Sequence, residues 1–366
     1  RPAISIQKSG GWTFGSPSVL MMFYRAPGEL QSELQEMDEC MPHYYKITNG
    51  HGQGAETIMR AEADFMRACF ADAQIMLERA YAQIDGNGQE NMALCCDFLA
   101  WRLSLCTSFT PRESFEQRRE ALLGLHNVAW LNILQSSCAY YYALLGLPEK
   151  IPAVFREHQL ASIHFLAPGK PMMELIENQV YLAQGEYAKV IGHSEALLGM
   201  CEAMHYALVA LHIRLQTAAA YEMLGKRETA DELLISALAA AEPDALYLPF
   251  VENYRYLKTA LTRGAGAKFA AFVRTVTPLG EDFVRRCGEK CAEGSRPAAL
   301  AGLTERESAI AALVAKRLSN REIAEQLFLS EGSVKQYINQ IYSKLLITGD
   351  VRTKRKRLAE LAAPKS

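Results

Sequence analysis

The stretch "EGSVKQYINQIYSKLL", residues 331–346, holds the side chains with the most specific chemistry in this chain. Lys335, Gln336, Asn339 and Gln340 fall at helical spacing, so one face of a helix collects all four. These residue types read base edges: lysine toward guanine, asparagine or glutamine bidentate to adenine. Ser343 and Lys344 extend the same face. On the opposite face Val334, Ile338, Ile341 and Leu345 repeat at offsets of 4, 3 and 4, a stripe that packs a core. A merely solvated helix favours Glu/Lys pairs, yet from Gly332 to Leu346 there is no acid. A face without acids fits a polyanion partner.

Other elements must hold that helix in place. Thr304 with Glu307 is a capping box, in which the hydroxyl satisfies an exposed amide and the carboxylate reaches back. It opens a helix with the apolar stripe Ile310, Leu313 and Val314. Ser319 with Glu322 is a second box, opening a helix that carries Ile323, Ala324 and Leu327. Ser330 then caps the third helix after the short break "FLS". So short a break forces a sharp crossing, the geometry of a helix-turn-helix, and the small Ala324 lets the helices approach. Ser319, Ser330 and Ser333, beside unpaired amides at helix starts, suit phosphates. Thr304, Asn320 and Lys344 are expected to join them as phosphate contacts.

Charge is distributed to match. Residues 300–366 carry twelve Lys/Arg and seven Asp/Glu, a net +5 that leaves −7 for the first 299 residues. A basic end on an acidic body points to nucleic-acid contact at that end alone. The stretch "CAEGSRPAALAG", residues 291–302, reads as a linker.

The body, residues 1–290, is helical in period almost throughout, without convincing alternating strands. Segments anchored at Ala68, Gly146, Gly185 and Gly225 align, the last two intervals being 39 and 40 residues. The first interval, 78, implies a degenerate unit near residue 107. Ala73, Val190, Ala230 and the larger Ile151 occupy the same place in the four segments. In the clearest one, Ile176, Val180 and Ala183 precede a turn at Gly185. Helix, tight turn and return helix, stacked on the next pair, make a solenoid. The period exceeds the ~34 residues of the tetratricopeptide (TPR) unit, so the body is expected to be TPR-like with longer helices. A solenoid leaves a concave channel for a peptide or small ligand. Trp101, Trp130, Tyr140, Tyr141, Tyr142 and Tyr181 are candidates to line it, though an aromatic at helical spacing is more often core.

Several function classes lack support. "NGHGQGAE", residues 49–56, mimics a dinucleotide loop, but no strand precedes it and helical sequence follows; it reads as a loop before a helix starting near Ala55. His43 and His51 have no partners at metal-ligand spacing and read as surface residues. Nothing singles out a catalytic triad or dyad, so no enzyme is expected. The nine cysteines, Cys69, Cys95, Cys96, Cys106, Cys138 and Cys201 among them, look like buried reduced thiols. No metal site is expected at Cys287 and Cys291. No apolar run is long enough to span a membrane, and a cytoplasmic protein is the simplest reading.

Residues 303–347 resemble the LuxR-type DNA-binding domain: "LTERE", "LSNREIAEQLFLS" and "GSVKQYINQIYSKL" follow that pattern almost element by element. The resemblance implies that the third helix enters the major groove of double-stranded DNA. It places Lys335, Gln336, Asn339 and Gln340 at base-facing positions and Tyr337 near a phosphate. It also implies a fourth, dimer-supporting helix near Asp350–Leu361. Arg317 and Leu346 stand where the family usually has glycine; Arg317 in a left-handed turn costs roughly 1 kcal/mol. A TPR-like body before such a domain resembles the C-terminal part of the large ATP-dependent regulators typified by the maltose activator MalT. That likeness, with a chain starting at Arg1, implies a processed chain or a fragment. No cofactor is expected in these residues, and any ATP dependence lies in an upstream module.

The expectation is therefore an all-α protein: a TPR-like solenoid over 1–290, a linker over 291–302 and a LuxR-type helix-turn-helix domain over 303–366. Its function would be transcription regulation, with an unidentified small-molecule or protein inducer in the solenoid and a homodimer on DNA. The competing reading is an interaction scaffold whose helix-turn-helix does not bind DNA.

Overall fold

The computed structural model describes residues 16–362 except positions 49, 51, 87, 164, 166, 265–267 and 295–302. Nineteen α-helices and no strand occur among the described residues. The chain divides into two compact units, Arg1–Cys287 and Gly288–Ser366. The helix Ala270–Gly294 runs through that division. It takes in Cys291–Gly294, the first residues read as linker; the rest of that stretch lies outside the described residues.

The body is built from antiparallel helix pairs. Ala55–Met66 packs on Phe70–Ile84, Lys170–Gln184 on Tyr187–Met204, and Ala207–Met223 on Arg227–Ala241. First helices also pack on first helices: 55–66 on 90–106, 90–106 on 128–145, 128–145 on 170–184, and 170–184 on 207–223. That second set of contacts is what stacks the pairs. The turns fall where glycine permits positive φ: Gly185 (φ 77°) and Gly225 (φ 75°) each end a first helix. The aligned Ala73, Val190, Ala230 and Ile151 are all buried, the first three on return helices packed against their partners. The loop at 52–54 leads into a helix at Ala55, with Gly54 left-handed at φ 91°. His43 is exposed, while His51 lies outside the described residues.

Two alignments do not give regular pairs. Between Gly146 and the helix at Lys170 the chain forms short turns, Pro148–Lys150, Leu160–Ser162 and Ala167–Gly169, and a four-residue helix, Ala153–Arg156. Pro148 and Pro152 remove amide donors there and His158 stands at φ 56°, so no long return helix forms. Near residue 107 the return helix is the nine-residue Phe115–Leu123, opened by a Ser114/Gln117 capping box.

Two short segments bridge helices of separate pairs. Val19, Leu20 and Met21 are fully buried, and the short helix Leu20–Phe23 contacts both Ala55–Met66 and Ala207–Met223. Glu62 accepts the Leu20 amide at 2.7 Å, and Ala207 donates its amide to the Tyr24 carbonyl at 3.0 Å. The short helix Leu248–Glu252 touches the same two helices. There Arg102 and Glu252, both 1 % exposed, pair at 2.8 and 3.1 Å, and Tyr140 donates to Glu252 at 2.8 Å. The Arg102 guanidinium lies 4.9 Å from the Phe65 ring and 5.1 Å from the Phe98 ring. His212 is fully buried nearby, and burial, with Arg102 adding to it, drives its pKa well below the ordinary value.

The candidate aromatics are packing groups. Trp101, Trp130, Tyr140 and Tyr181 are buried, and Tyr141 and Tyr142 half-buried. The Trp101 ring lies tilted against Phe115, centroids 3.9 Å apart, and its indole N–H donates to the Glu113 carbonyl. The nine cysteines form no disulfide among the described residues. Cys69 is exposed rather than buried: it sits in the turn after Ala68 (φ 60°), at the start of Phe70–Ile84.

Candidate nucleic-acid interface

The C-terminal unit has four helices beyond the division: Glu305–Ala315, Asn320–Leu327, Glu331–Lys344 and Val351–Ala362. Both capping boxes form as the spacing predicts. Thr304 Oγ1 accepts the Glu307 amide at 3.3 Å while Glu307 accepts the Thr304 amide at 2.7 Å. Ser319 Oγ accepts the Glu322 amide at 3.3 Å while Glu322 accepts the Ser319 amide at 2.7 Å. Ser330 caps the third helix by accepting the Ser333 amide at 3.0 Å. Asp350 caps the fourth, accepting the Arg352 and Thr353 amides at 2.9 Å each.

One small core joins them. Ile310, Val314, Ile323, Val334, Ile341 and Leu358 are each 1 % exposed or less. The first helix touches the other three, and the second and third pack together across Phe328–Ser330. Three non-glycine residues pay for the tight turns: Arg317 (φ 62°), Phe328 (φ 54°) and Leu346 (φ 52°) are left-handed. The strain expected at Arg317 is thus present. Its turn is braced from outside by Arg355, which donates to the Leu318 carbonyl at 2.6 Å and to Asn320 Oδ1 at 2.8 Å.

On the third helix the core takes Val334, Ile338 and Ile341. Lys335, Gln336, Asn339 and Gln340 are all exposed on the other side. No hydrogen bond or ion pair from these four side chains occurs among the described residues, so their donors and acceptors face solvent. Tyr337 is half-buried at the edge of the core.

The expected phosphate contacts divide by what already holds them. Ser319 and Ser330 stand exposed at helix starts with their oxygens engaged as caps, and Ser333 shares a 2.8 Å hydroxyl contact with Ser330. The first-turn amides beside them have no intrahelical acceptor and point outward along the helix axis. The Thr304 hydroxyl donates to Glu307 at 2.9 Å. Asn320 uses its carbonyl oxygen on Arg355. Lys344 pairs with the buried Glu307 at 2.7 Å, tying the end of the third helix to the start of the first. Burial pushes the Glu307 carboxyl up, but Lys344 and the two Thr304 bonds outweigh it and hold it below its ordinary range. The Ser319 amide and hydroxyl likewise depress Glu322.

Sequence reading missed Arg355 and the internal role of Lys344. Their partners lie 37 residues away at Leu318 and Glu307, and no local pattern links residues so far apart. The basic run Lys354–Arg357 was the available signal for Arg355, but it does not say which arginine turns inward.

This unit has known relatives. Residues 301–355 match the family described as bacterial regulatory proteins, luxR family. Transcriptional regulatory protein LnrK of Bacillus subtilis (strain 168) is 44 % identical over 55 residues, which are 15 % of this chain and 25 % of that protein. The DNA-binding transcriptional activator DevR/DosR of Mycobacterium tuberculosis is 39 % identical over 46 residues, 13 % of this chain and 21 % of that protein. The chain thus spans a quarter or less of the length of these curated relatives. No solved structure matches the chain. The C-terminal unit is a LuxR-family DNA-binding helix-turn-helix domain. No helix among the described residues is long and apolar enough to cross a membrane.

Proposed function

We propose that this chain regulates transcription: a ligand- or partner-sensing, TPR-like body governs a C-terminal domain that reads base sequence in the major groove. The exposed, acid-free face of Glu331–Lys344 after Glu331 itself carries the reading. Lys335, Gln336, Asn339 and Gln340 contact base edges, while Ser319, Ser330, Ser333 and Tyr337 contact the backbone. Thr304, Asn320 and Lys344 have internal partners, so the backbone set leans least on them. Two copies of the domain would place their third helices on half-sites one turn apart, ~34 Å. The resemblance to the MalT-like regulators supports a body that controls this domain, with any ATP step belonging to a separate module.

The test is fluorescence anisotropy with a duplex selected from a random pool. The intact protein should bind it well above a scrambled duplex, with affinity falling steeply as salt rises. Asn339→Ala should lose most of that preference while keeping salt-dependent binding. Equal affinity for both duplexes in both proteins would remove base reading. Affinity indifferent to salt would remove phosphate contact and favour the scaffold.

A further inference from the structure

The fourth helix of the C-terminal unit, Val351–Ala362, has two faces of different chemistry. Inward, Leu358 is fully buried, and Ala359, Leu361 and Ala362 pack partly buried against the small core. Outward, the exposed residues are Val351, Arg352, Thr353, Lys356, Arg357 and Glu360. Three of them are cations and one is an acid. Glu360 reaches Lys356 at 3.9 Å with both side chains well exposed, so water and salt screen that pair. The Arg352 and Arg357 side chains have no hydrogen bond or ion pair among the described residues.

Such a face is poorly suited to a second copy of itself. A two-fold contact sets a surface against the same surface. Here it would oppose Arg352, Lys356 and Arg357 to their own copies. Apolar area offers little compensation, because Val351, in the first turn, is the one large hydrophobic exposed along this helix. The dimer support that the LuxR resemblance implies for this helix therefore runs against its charge.

The same face suits a polyanion, and one flank of it adjoins the surface proposed to meet DNA. Arg355, half-buried, reaches from this helix to the Leu318 carbonyl and Asn320, at the start of the second helix. Arg352 and Lys356 stand about 60° and 100° further round the helix from Arg355, toward solvent. Beside that helix start, Lys316 and Arg317 are exposed, with no ion pair among the described residues. Positive charge thus continues from the second helix onto the fourth. Arg357 lies about 160° from Arg355, on the opposite flank.

We propose that this flank of the fourth helix is a phosphate contact, in which Arg352 and Lys356 hold DNA backbone flanking the bases that the third helix reads. The contact rests on the DNA reading proposed above and adds affinity without sequence preference. Two copies on neighbouring half-sites need not touch through this helix.

The test is anisotropy over a salt series, on the selected duplex with long flanks and with its flanks trimmed. On the flanked duplex, Arg352→Gln with Lys356→Gln should weaken binding roughly tenfold and reduce the salt slope by about 2, equally for selected and scrambled sequences. On the trimmed duplex the parent should show that loss already, and the double variant no further loss. Arg357→Gln should change the slope by less than about half a unit. Arg352→Lys keeps the charge and should keep the parent slope. Thermal melts should not move, since the replaced side chains are exposed and Arg355 is retained. An unchanged slope in the double variant, or an equal loss per charge in Arg357→Gln, would overturn the contact. So would tighter binding by the double variant with two copies sedimenting together more readily, the mark of a dimer contact through this helix. The two readings separate. Base preference that survives with an unchanged slope removes the fourth-helix contact alone. Loss of base preference in the parent, with the double-variant effect intact, removes base reading and keeps the contact. No DNA binding by the parent removes both.

Discussion

Arg102 and Asn339 are both polar side chains on helices, in opposite circumstances. Arg102 is 1 % exposed, paired with Glu252 and set over aromatic rings. Asn339 is exposed, and no side-chain partner appears among the described residues. The body sets Arg102 and Glu252 against each other and closes on them; the third helix of the C-terminal unit buries hydrocarbon and leaves a polar face outside. A buried polar pair reports on how the chain folds. An exposed, unpartnered polar row at helical spacing reports on something outside the chain.

The sharpest way to break that contrast is at the body's centre. Arg102→Met should leave Glu252 buried without a counter-charge and destabilise the body by about 3–5 kcal/mol, read from the urea midpoint. Pairing it with Glu252→Leu should recover much of the loss, since neither charge then remains. If Arg102→Met unfolds no more easily than the parent, the pair is not the closure described here.

Asn339→Ala probes the opposite case. It should cost about 1–3 kcal/mol of discrimination between selected and scrambled duplexes and leave the thermal melt in place. A lower melting temperature would mean that the exposed face has a structural partner after all. Ser319→Ala sits between the two, because it removes a cap. It should lower the stability of the C-terminal unit by about 1 kcal/mol, measured by amide exchange of the second helix.

The smallest effect is a difference of sign with pH. Glu307 and Glu322 have depressed pKa values when folded. Their contribution is present above the unfolded value near 4.5 and is lost as pH falls through the folded value. Glu62 runs the other way: burial raises it to about 7, against hydrogen bonds from Leu20 and Ser18 and the Arg102 charge that lower it. Its contribution is full below about 4.5 and is lost as pH rises through about 7. Melts from pH 3 to 8 should therefore show the C-terminal unit gaining as pH rises to about 4.5 and the body losing from there to about 7; Glu62→Gln should lessen the body's loss, leaving the share of Glu177, which burial also raises to about 7, and should not change the C-terminal unit. Profiles of the same sign in both units would contradict these assignments.

Legibility followed distance along the chain. Thr304/Glu307, Ser319/Glu322 and Ser330/Ser333 are three residues apart, and all formed as read. The stripe Val334, Ile338 and Ile341 and its polar reverse follow from helical period alone. In the body, Gly185 and Gly225 marked turns because left-handed backbone needs glycine or strain. The alignment at Gly146 misled because the prolines that follow it break the return helix. Residues 20–23 and 248–252 bridge helices of separate pairs, and no periodicity says where such a segment will thread.

The sequence by itself determined the helices, their caps, and which face of Glu331–Lys344 is apolar, because each depends on neighbours within about one turn. Only the tertiary structure decided that Lys344 serves Glu307, that Arg355 braces the turn after Arg317, and that Arg102 meets Glu252 across 150 residues. Such pairings arise when packing brings distant segments together and burial removes water as the competing partner, so the side chains must satisfy one another.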